Sequence, residues 1–406
     1  MSPEKHILTE VRGCAGLITL NRPKALNALS LPMIRDITAA LLEWKSNPAV
    51  KLVAIRGMGK NPAHTADASA SGNGQPSVPP FVPFGSFCAG GDIRFFHQAA
   101  LAGDPALEDF FTEEYALNHL IHVYPKPYIA FMDGIVMGGG MGISQGASHR
   151  IVTERTKMAM PETGIGLFPD VGGGYFLSRC PGRVGEYLAL TGHVISGGEA
   201  VACKLADTLV APDALAPLWD ALALLSDASS ESIENLFAPK DITVNDIAND
   251  SFAIKNIAAQ AVNTWTTGQN SSQIDTIFAL RTVSEILTAL DKEGSLWAAQ
   301  TAATLRKRSP LMLHVVLELI RRARSMNLSG DLRLERDLVR HCFHTAHLQR
   351  SGASSETVEG IRALAVDKDH APQWSPARIE DVTPAMVAPF FSSPWPAHAH
   401  PLRALA

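Results

Sequence analysis

Residues 126–142 read KPYIAFMDGIVMGGGMG, and the order of residue types in them decides the kind of fold to expect. Tyr128–Met132 is a short apolar run without charge, the pattern of a buried strand. A glycine-rich stretch, Gly138–Gly142, follows and leads into a segment read as helical over Gly142–Ala147. A strand that passes through consecutive glycines into a helix leaves backbone N–H groups facing outward with no side chain in front of them. Close helix–helix packing would account for the same glycines. A dinucleotide site does not fit, because the G-x-G-x-x-G spacing is missing and the stretch lies deep in the chain.

Outward from this point the alternation continues. His6–Val11 and Ala15–Leu20 flank Gly13 and predict a hairpin. Ser30 can cap a helix with Pro32 in its first turn, and Ile34, Ile37, Leu41 and Trp44 recur at helical spacing. Leu52–Ile55 and Ile151–Thr153 predict strands, and Pro105–Val123 a helix. Residues 59–85 break the pattern: they are rich in Ala, Ser, Gly and Pro and end in PSVPPFVPFG. Too little apolar density and too many prolines for a helix predict an inserted, mobile surface loop there, a functional lid being the alternative. After about residue 210 the signals turn helical: Ala214–Leu225, Ser230–Leu236, Ser251–Thr264, Ile274–Leu290, Ser295–Arg306, Pro310–Met326 and Leu332–Arg350, then a proline-broken tail from Val358. The expectation is an α/β core over 1–210, helices around a sheet, with a helical extension over 211–406 folding back on it.

Composition narrows the partners. Of 406 residues 46% are hydrophobic and 18% charged, enough for a sizeable core. A net charge of −5 gives no global basic field for nucleic acid, and no apolar run approaches a membrane span. Five cysteines stand singly with no C-x-x-C, which predicts free thiols in a reducing compartment. The N-terminus reads as neither secretory signal nor transit peptide, and the last residues are no peroxisomal address, so a soluble intracellular protein is expected. His341, His344 and His347 share one helix side but have no acid or cysteine at ligand spacing, so no metal is expected. The runs Arg306–Arg308 and Arg321–Arg324 read as helix-surface charges or, alternatively, contacts to an anionic ligand.

Two stretches carry chemistry beyond the glycine run. In FCAGGDIR (87–94) small residues let a ligand reach the backbone at the start of a helical turn. In MPETGIGLFPDVGGG (160–174) two carboxylates, Glu162 and Asp170, sit among Ile, Leu, Phe, Met, Pro and Gly. Apolar surroundings raise a carboxyl pKa and suit it to proton transfer. Asp170 is equally well placed to cap the helix after Gly172–Gly174.

The ordered set LNRPKALNAL (20–29), FCAGGDIR, MGGGMG (137–142) and MPETGIGLFPDVGGG resembles the crotonase, or enoyl-CoA hydratase/isomerase, superfamily. EEYALN (113–118) and EGIRALAVDKDHAPQWSPA (359–377) make it most similar to the 3-hydroxyisobutyryl-CoA hydrolase family within it. The resemblance implies a crotonase-like spiral of strand-strand-helix units and an oxyanion hole from the Gly91 and Gly139 amides. It implies Glu162 and Asp170 as catalytic groups, with Glu162 acting as general base or attacking directly, and Glu114 as the ligand of an acyl hydroxyl. Lys24, Ala25, Leu26, Asp92, Ile93 and Arg94 would follow the CoA moiety. Family hydratases use two glutamates; the first falls on Gly142, which moves no proton, so hydrolysis of a short hydroxyacyl-CoA is expected, with another crotonase reaction or a non-catalytic binding role as alternatives. No cofactor is implied beyond the CoA of the substrate. The compartment would be the mitochondrial matrix in a eukaryote and the cytoplasm in a bacterium, and a monomer, dimer or trimer all fit.

Overall fold

Strand β2 (Ala15–Leu20) is buried at every residue, whereas its hairpin partner β1 (Ile7–Arg12) buries only Ile7. The mostly exposed strand is therefore an edge and the uniformly buried one lies inside. The computed structural model describes residues 5–60, 83–225, 227–237 and 269–405. Within them the main sheet adds β3 (Leu52–Gly57), β4 (Tyr128–Met132), β6 (His149–Thr153) and β9 (Thr208–Val210) in the order β1-β2-β3-β4-β6-β9. Only the β1–β2 pair of this sheet is antiparallel. A second, three-stranded sheet is built from β5 (Ile135–Met137), β7 (Lys157–Ala159) and β8 (Ile195–Ser196).

Helix α1 (Leu31–Ser46) buries Ile34, Ile37, Leu41 and Trp44 as expected, although Ser30 takes the cap position without a side-chain bond. It packs on α3 (Ala106–His122), and α2 (Ile93–Ala102) lies beside α3. Helix α4 (Gly139–Gln145) begins three residues earlier than expected, so the glycines form its first turn instead of leading into it. The α/β core continues with α5 (Gly173–Leu177), α6 (Val184–Thr191) and α7 (Gly197–Ala202).

The extension comprises α8 (Leu215–Leu222), α9 (Ser230–Phe237), α10 (Gln269–Ile277), α11 (Val283–Glu293), α12 (Leu296–Leu305), α13 (Pro310–Ala323), α14 (Leu328–Phe343), α15 (Glu356–Ile361) and α16 (Pro384–Val387). The single helix expected over Ile274–Leu290 is two, because Thr282 and Glu285 form a capping box that starts α11. The helix expected over Leu332–Arg350 starts at Leu328, where Asn327 caps it, and stops at Phe343. The helix expected over Ser251–Thr264 lies outside the described residues, as does most of the 59–85 segment. The two ends of that segment meet, with the Gly59 amide donating to the Pro83 carbonyl at 2.8 Å.

Helix α13 packs on α5 and α6, α14 on α3 and α5, and α15 on α2. One apolar cluster accordingly contains Leu20, Phe110 and Met160 of the core with Leu313, Leu338 and Ile361 of the extension. Among the described residues no helix is long and apolar enough to cross a membrane.

Candidate active site

Loop and strand hydrogen bonds bring the glycine motifs together. The Leu29 amide donates to Gly90 O (2.8 Å) and the Asp92 amide to Leu29 O (2.9 Å), while Met137 donates to Cys88 O (3.0 Å). Gly91 is thereby held against the start of α4. Among the described residues neither the Gly91 nor the Gly139 amide has an acceptor. A Cβ at Gly139 would stand 2.5 Å from Glu114 Oε1 and 3.4 Å from the Gly91 nitrogen; one at Gly91 would meet Phe96 Cζ at 2.6 Å. Only hydrogen fits between these groups, so both amides stay open to a ligand atom.

Both glycines line a cavity of about 360 Å³, together with Glu114, Glu162, Asp170, Ile93, Phe96 and Phe111. Arg308, after α12, and Leu364, just beyond α15, close it from the extension. Three carboxyl groups meet there in the dark of the protein: Glu114, Glu162 and Asp170 are 2%, 7% and 5% exposed. Burial raises Glu114 well above the usual carboxylate range, and the charges of Asp170 and Glu162 add to it. Glu162 is raised by burial and by Asp170, with Arg308 pulling the other way. Asp170 is pushed up by burial to about 6, held back by the Tyr115 hydroxyl, which donates to Asp170 Oδ2 at 2.8 Å. Glu162 Oε2 and Glu114 Oε1 are buried with no hydrogen-bond partner among the described residues.

Five of the residues singled out in the sequence thus converge: Gly91, Glu114, Gly139, Glu162 and Asp170. The capping role open to Asp170 is taken by others. Glu335 of α14 accepts from the Gly172 (2.7 Å) and Gly174 (3.0 Å) amides, and Asp331 accepts from Tyr175 (2.6 Å). Of the residues expected along CoA, Ile93 lines the cavity. Asp92 is engaged with Arg22 (2.8 Å) and the Phe95 amide, while Lys24, Leu26 and Arg94 are exposed beside the cavity's glycine wall, tied to it through the Ala89 amide and Leu26 O (3.0 Å). The histidines have structural contacts: His341 to Ser392 O (2.9 Å), His344 to Glu108 (3.0 Å) and His347 edge-on to Phe390. Tyr115, Glu335 and Asp331 were not singled out, and Arg308, expected as a helix-surface charge or a contact to an anionic ligand, lies past the end of α12 and lines the cavity. The one local signal was the pair Asp331 and Glu335, four residues apart on one side of α14 beside Leu332, Leu338 and Val339.

The family model described as enoyl-CoA hydratase/isomerase matches residues 15–67 and 83–391. The chain belongs to this family. The two matched stretches leave out 68–82, inside the segment expected as an insertion. The chain is 38% identical over 381 residues to mitochondrial 3-hydroxyisobutyryl-CoA hydrolase of Xenopus laevis, covering 94% of this chain and 87% of that one. Against the enzyme of the same name from Rattus norvegicus it is 37% identical over 390 residues (96% and 89%), and against that from Homo sapiens 35% over 381 (93% and 86%). Among solved structures of this family, a carnitinyl-CoA dehydratase from Mycobacterium thermoresistibile superposes with a TM-score of 0.76 at 33% identity, covering 97% of this chain and 98% of that one. An enoyl-CoA hydratase from Rhodobacter sphaeroides gives 0.75 at 33% identity (96% and 98%). The crotonase fold expected from the motifs is the fold observed.

Proposed function

We propose that this protein hydrolyses the thioester of 3-hydroxyisobutyryl-CoA to 3-hydroxyisobutyrate and CoA. The relatives named above support the substrate, and the surroundings of Gly142 carry the choice of reaction. Hydratases of the family place their first glutamate there. In this chain a Cβ at Gly142 would lie 2.7 Å from Val171 Cβ and 2.8 Å from Asn118 Nδ2, so the space is filled. With that glutamate absent and its volume occupied, addition of water across a double bond lacks the proton-transfer group that family hydratases place there.

The thioester oxygen would sit between the Gly91 and Gly139 amides, whose two fixed donors hold the charge that develops as the carbonyl is attacked; one such donor is worth roughly a hundred- to thousand-fold in rate. Glu162 and Asp170 work as a pair. With Asp170 ionised, Glu162 can pass its proton to Asp170 and then, as a carboxylate, either take a proton from water that adds to the carbonyl or attack the carbonyl itself to give an anhydride that water cleaves; on either route the C–S bond breaks and the CoA sulfur leaves. Water ends in the carboxylic acid and its remaining proton on the CoA sulfur. The Glu114 carboxyl, free at Oε1 beside Gly139, would bind the acyl hydroxyl. Lys24, Ala25, Leu26 and Arg94 would flank the CoA chain outside the cavity. Hydrolysis of this thioester is a step in valine degradation. The vertebrate relatives are named as mitochondrial, which supports the matrix for a eukaryotic source, as the cytoplasm would suit a bacterial one.

Release of thiol from 3-hydroxyisobutyryl-CoA, followed with a thiol-reactive dye, tests this reading. Turnover that Glu162→Gln abolishes without loss of CoA binding is the expected result. Loss of crotonyl-CoA absorbance with no thiol released would establish a hydratase instead, and silence in both assays a binding protein.

A further inference from the structure

The cavity holds three buried carboxyl groups, and among the described residues only one of them has a side-chain donor. Tyr115, itself fully buried on α3, gives its hydroxyl hydrogen to Asp170 Oδ2 at 2.8 Å. Among the described residues Glu114 Oε1 and Glu162 Oε2 are left with no partner, and no side chain donates to Glu162, which has its own backbone amide alone. A buried carboxylate that accepts a hydrogen bond is favoured in its charged form, and one without a donor is favoured as the neutral acid. Three charges within one small cavity would also repel one another strongly.

We propose that Tyr115 is a positioning residue that keeps the negative charge of the unoccupied site on Asp170, leaving Glu162 and Glu114 protonated until substrate is seated. This rests on the hydrolase reading for its consequence, because it makes Asp170 the resting proton acceptor.

The groups around Asp170 support the assignment. From α3 come Glu114 and Tyr115; from α14 come Glu335 and the Cys342 thiol; Glu162 stands across the cavity with Arg308 behind it. Glu335 is turned toward the Gly172 and Gly174 amides, and Cys342 contacts Met312. The only cation lining the cavity among the described residues is Arg308, whose Nε donates to Thr191 O at 3.0 Å and whose charge acts on Glu162. Tyr115 is therefore the donor that singles out Asp170, and its own pKa is driven well above 10 by burial and by Asp170, so it remains a donor throughout.

Tyr115→Phe removes one oxygen and keeps the ring. Loss of a hydrogen bond to a buried charge should move the acid limb of kcat/KM upward by about 1–2 pH units. Turnover then falls about two- to tenfold at pH 7 and returns toward the wild-type value by pH 9. A loss of the same size at every pH, or no loss, overturns the proposal. Infrared titration reads the charge without needing turnover. The carboxyl band that Asp170→Asn deletes should titrate near 6 in the wild-type protein and higher in Tyr115→Phe. In the wild-type protein at pH 7.5 the bands deleted by Glu162→Gln and Glu114→Gln should still be those of protonated acids. If the Glu162 band is ionised there while the Asp170 band is protonated, the charge sits elsewhere and the proposal fails, whether or not 3-hydroxyisobutyryl-CoA is a substrate.

Discussion

Glu335 accepts the amide hydrogen of Gly172 at 2.7 Å across 163 residues of sequence. The same carboxyl takes the Gly174 amide through its other oxygen, so one side chain of the extension fixes the turn that follows Asp170. Glu335→Ala would leave two buried N–H groups without acceptors, at about 1–3 kcal/mol each. It should lower the melting temperature by several degrees and slow thiol release by one to two orders of magnitude. Glu335→Gln, which keeps one accepting oxygen, should fall between. A Glu335→Ala protein that melts and turns over as the wild type does would remove the extension from the site.

Asp170, kept ionised in its buried place, costs the protein stability. Its pKa is about 6 in the folded protein against an ordinary 3.8, from burial, with Tyr115 opposing. The folded state therefore binds this proton more tightly than the unfolded chain. That contribution is whole below about pH 3.8 and is lost as pH rises through 6, amounting to about 3 kcal/mol at most. Asp331, at about 6, and Glu356, at about 7, act in the same direction, both chiefly through burial. Asp170→Asn should thus match the wild-type stability near pH 4, exceed it increasingly up to pH 7 and lack turnover. Urea unfolding at several pH values measures the difference, and a gap that does not change with pH contradicts it.

The extent to which the sequence could be read follows from the range of the forces involved. Strands such as Tyr128–Met132 and helices such as Ala106–His122 declare themselves through local periodicity, and Gly91, Gly139, Glu162 and Asp170 through short motifs. The break between α10 and α11 was also local, a Thr-x-x-Glu box hidden inside a continuous helical period. Tyr115 and Glu335 could not be assigned in this way. Each sits on an ordinary amphipathic helix, and each acquires its role from a partner 55 or 163 residues away. Their meaning is tertiary, since only packing of α14 on α3 and α5 makes a buried acid a cap instead of a cost.

Glu114 should decide which acyl groups are accepted. Its Oε1 is buried and unpartnered, and burial with the neighbouring acids keeps the carboxyl protonated well above the usual range. Such a group has a donor and an acceptor to offer a hydroxyl and is left unsatisfied by a methyl. Discrimination between 3-hydroxyisobutyryl-CoA and isobutyryl-CoA should reach about 10⁴-fold in kcat/KM. Glu114→Ala should shrink that ratio to within about tenfold, mostly by losing the hydroxylated substrate. Equal effects of the variant on both substrates would mean that Glu114 shapes the cavity without reading the acyl group.

Val171 holds a backbone conformation that a β-branched residue seldom adopts, with φ at +57°. Its side chain nevertheless packs where a residue-142 side chain would go, with Asn118 on the other side. Gly142→Glu alone should therefore destabilise the protein, as overpacking a fixed core does by about 1–3 kcal/mol or more, and should yield no hydration of crotonyl-CoA. Pairing it with Val171→Gly removes one of the two blocking side chains, Asn118 remaining, and relieves the backbone, so the double variant should regain part of the lost stability. Crotonyl-CoA absorbance is the deciding measurement. If Gly142→Glu alone folds at wild-type stability and hydrates crotonyl-CoA, the filled space was no barrier, and the argument for hydrolysis loses its main physical ground.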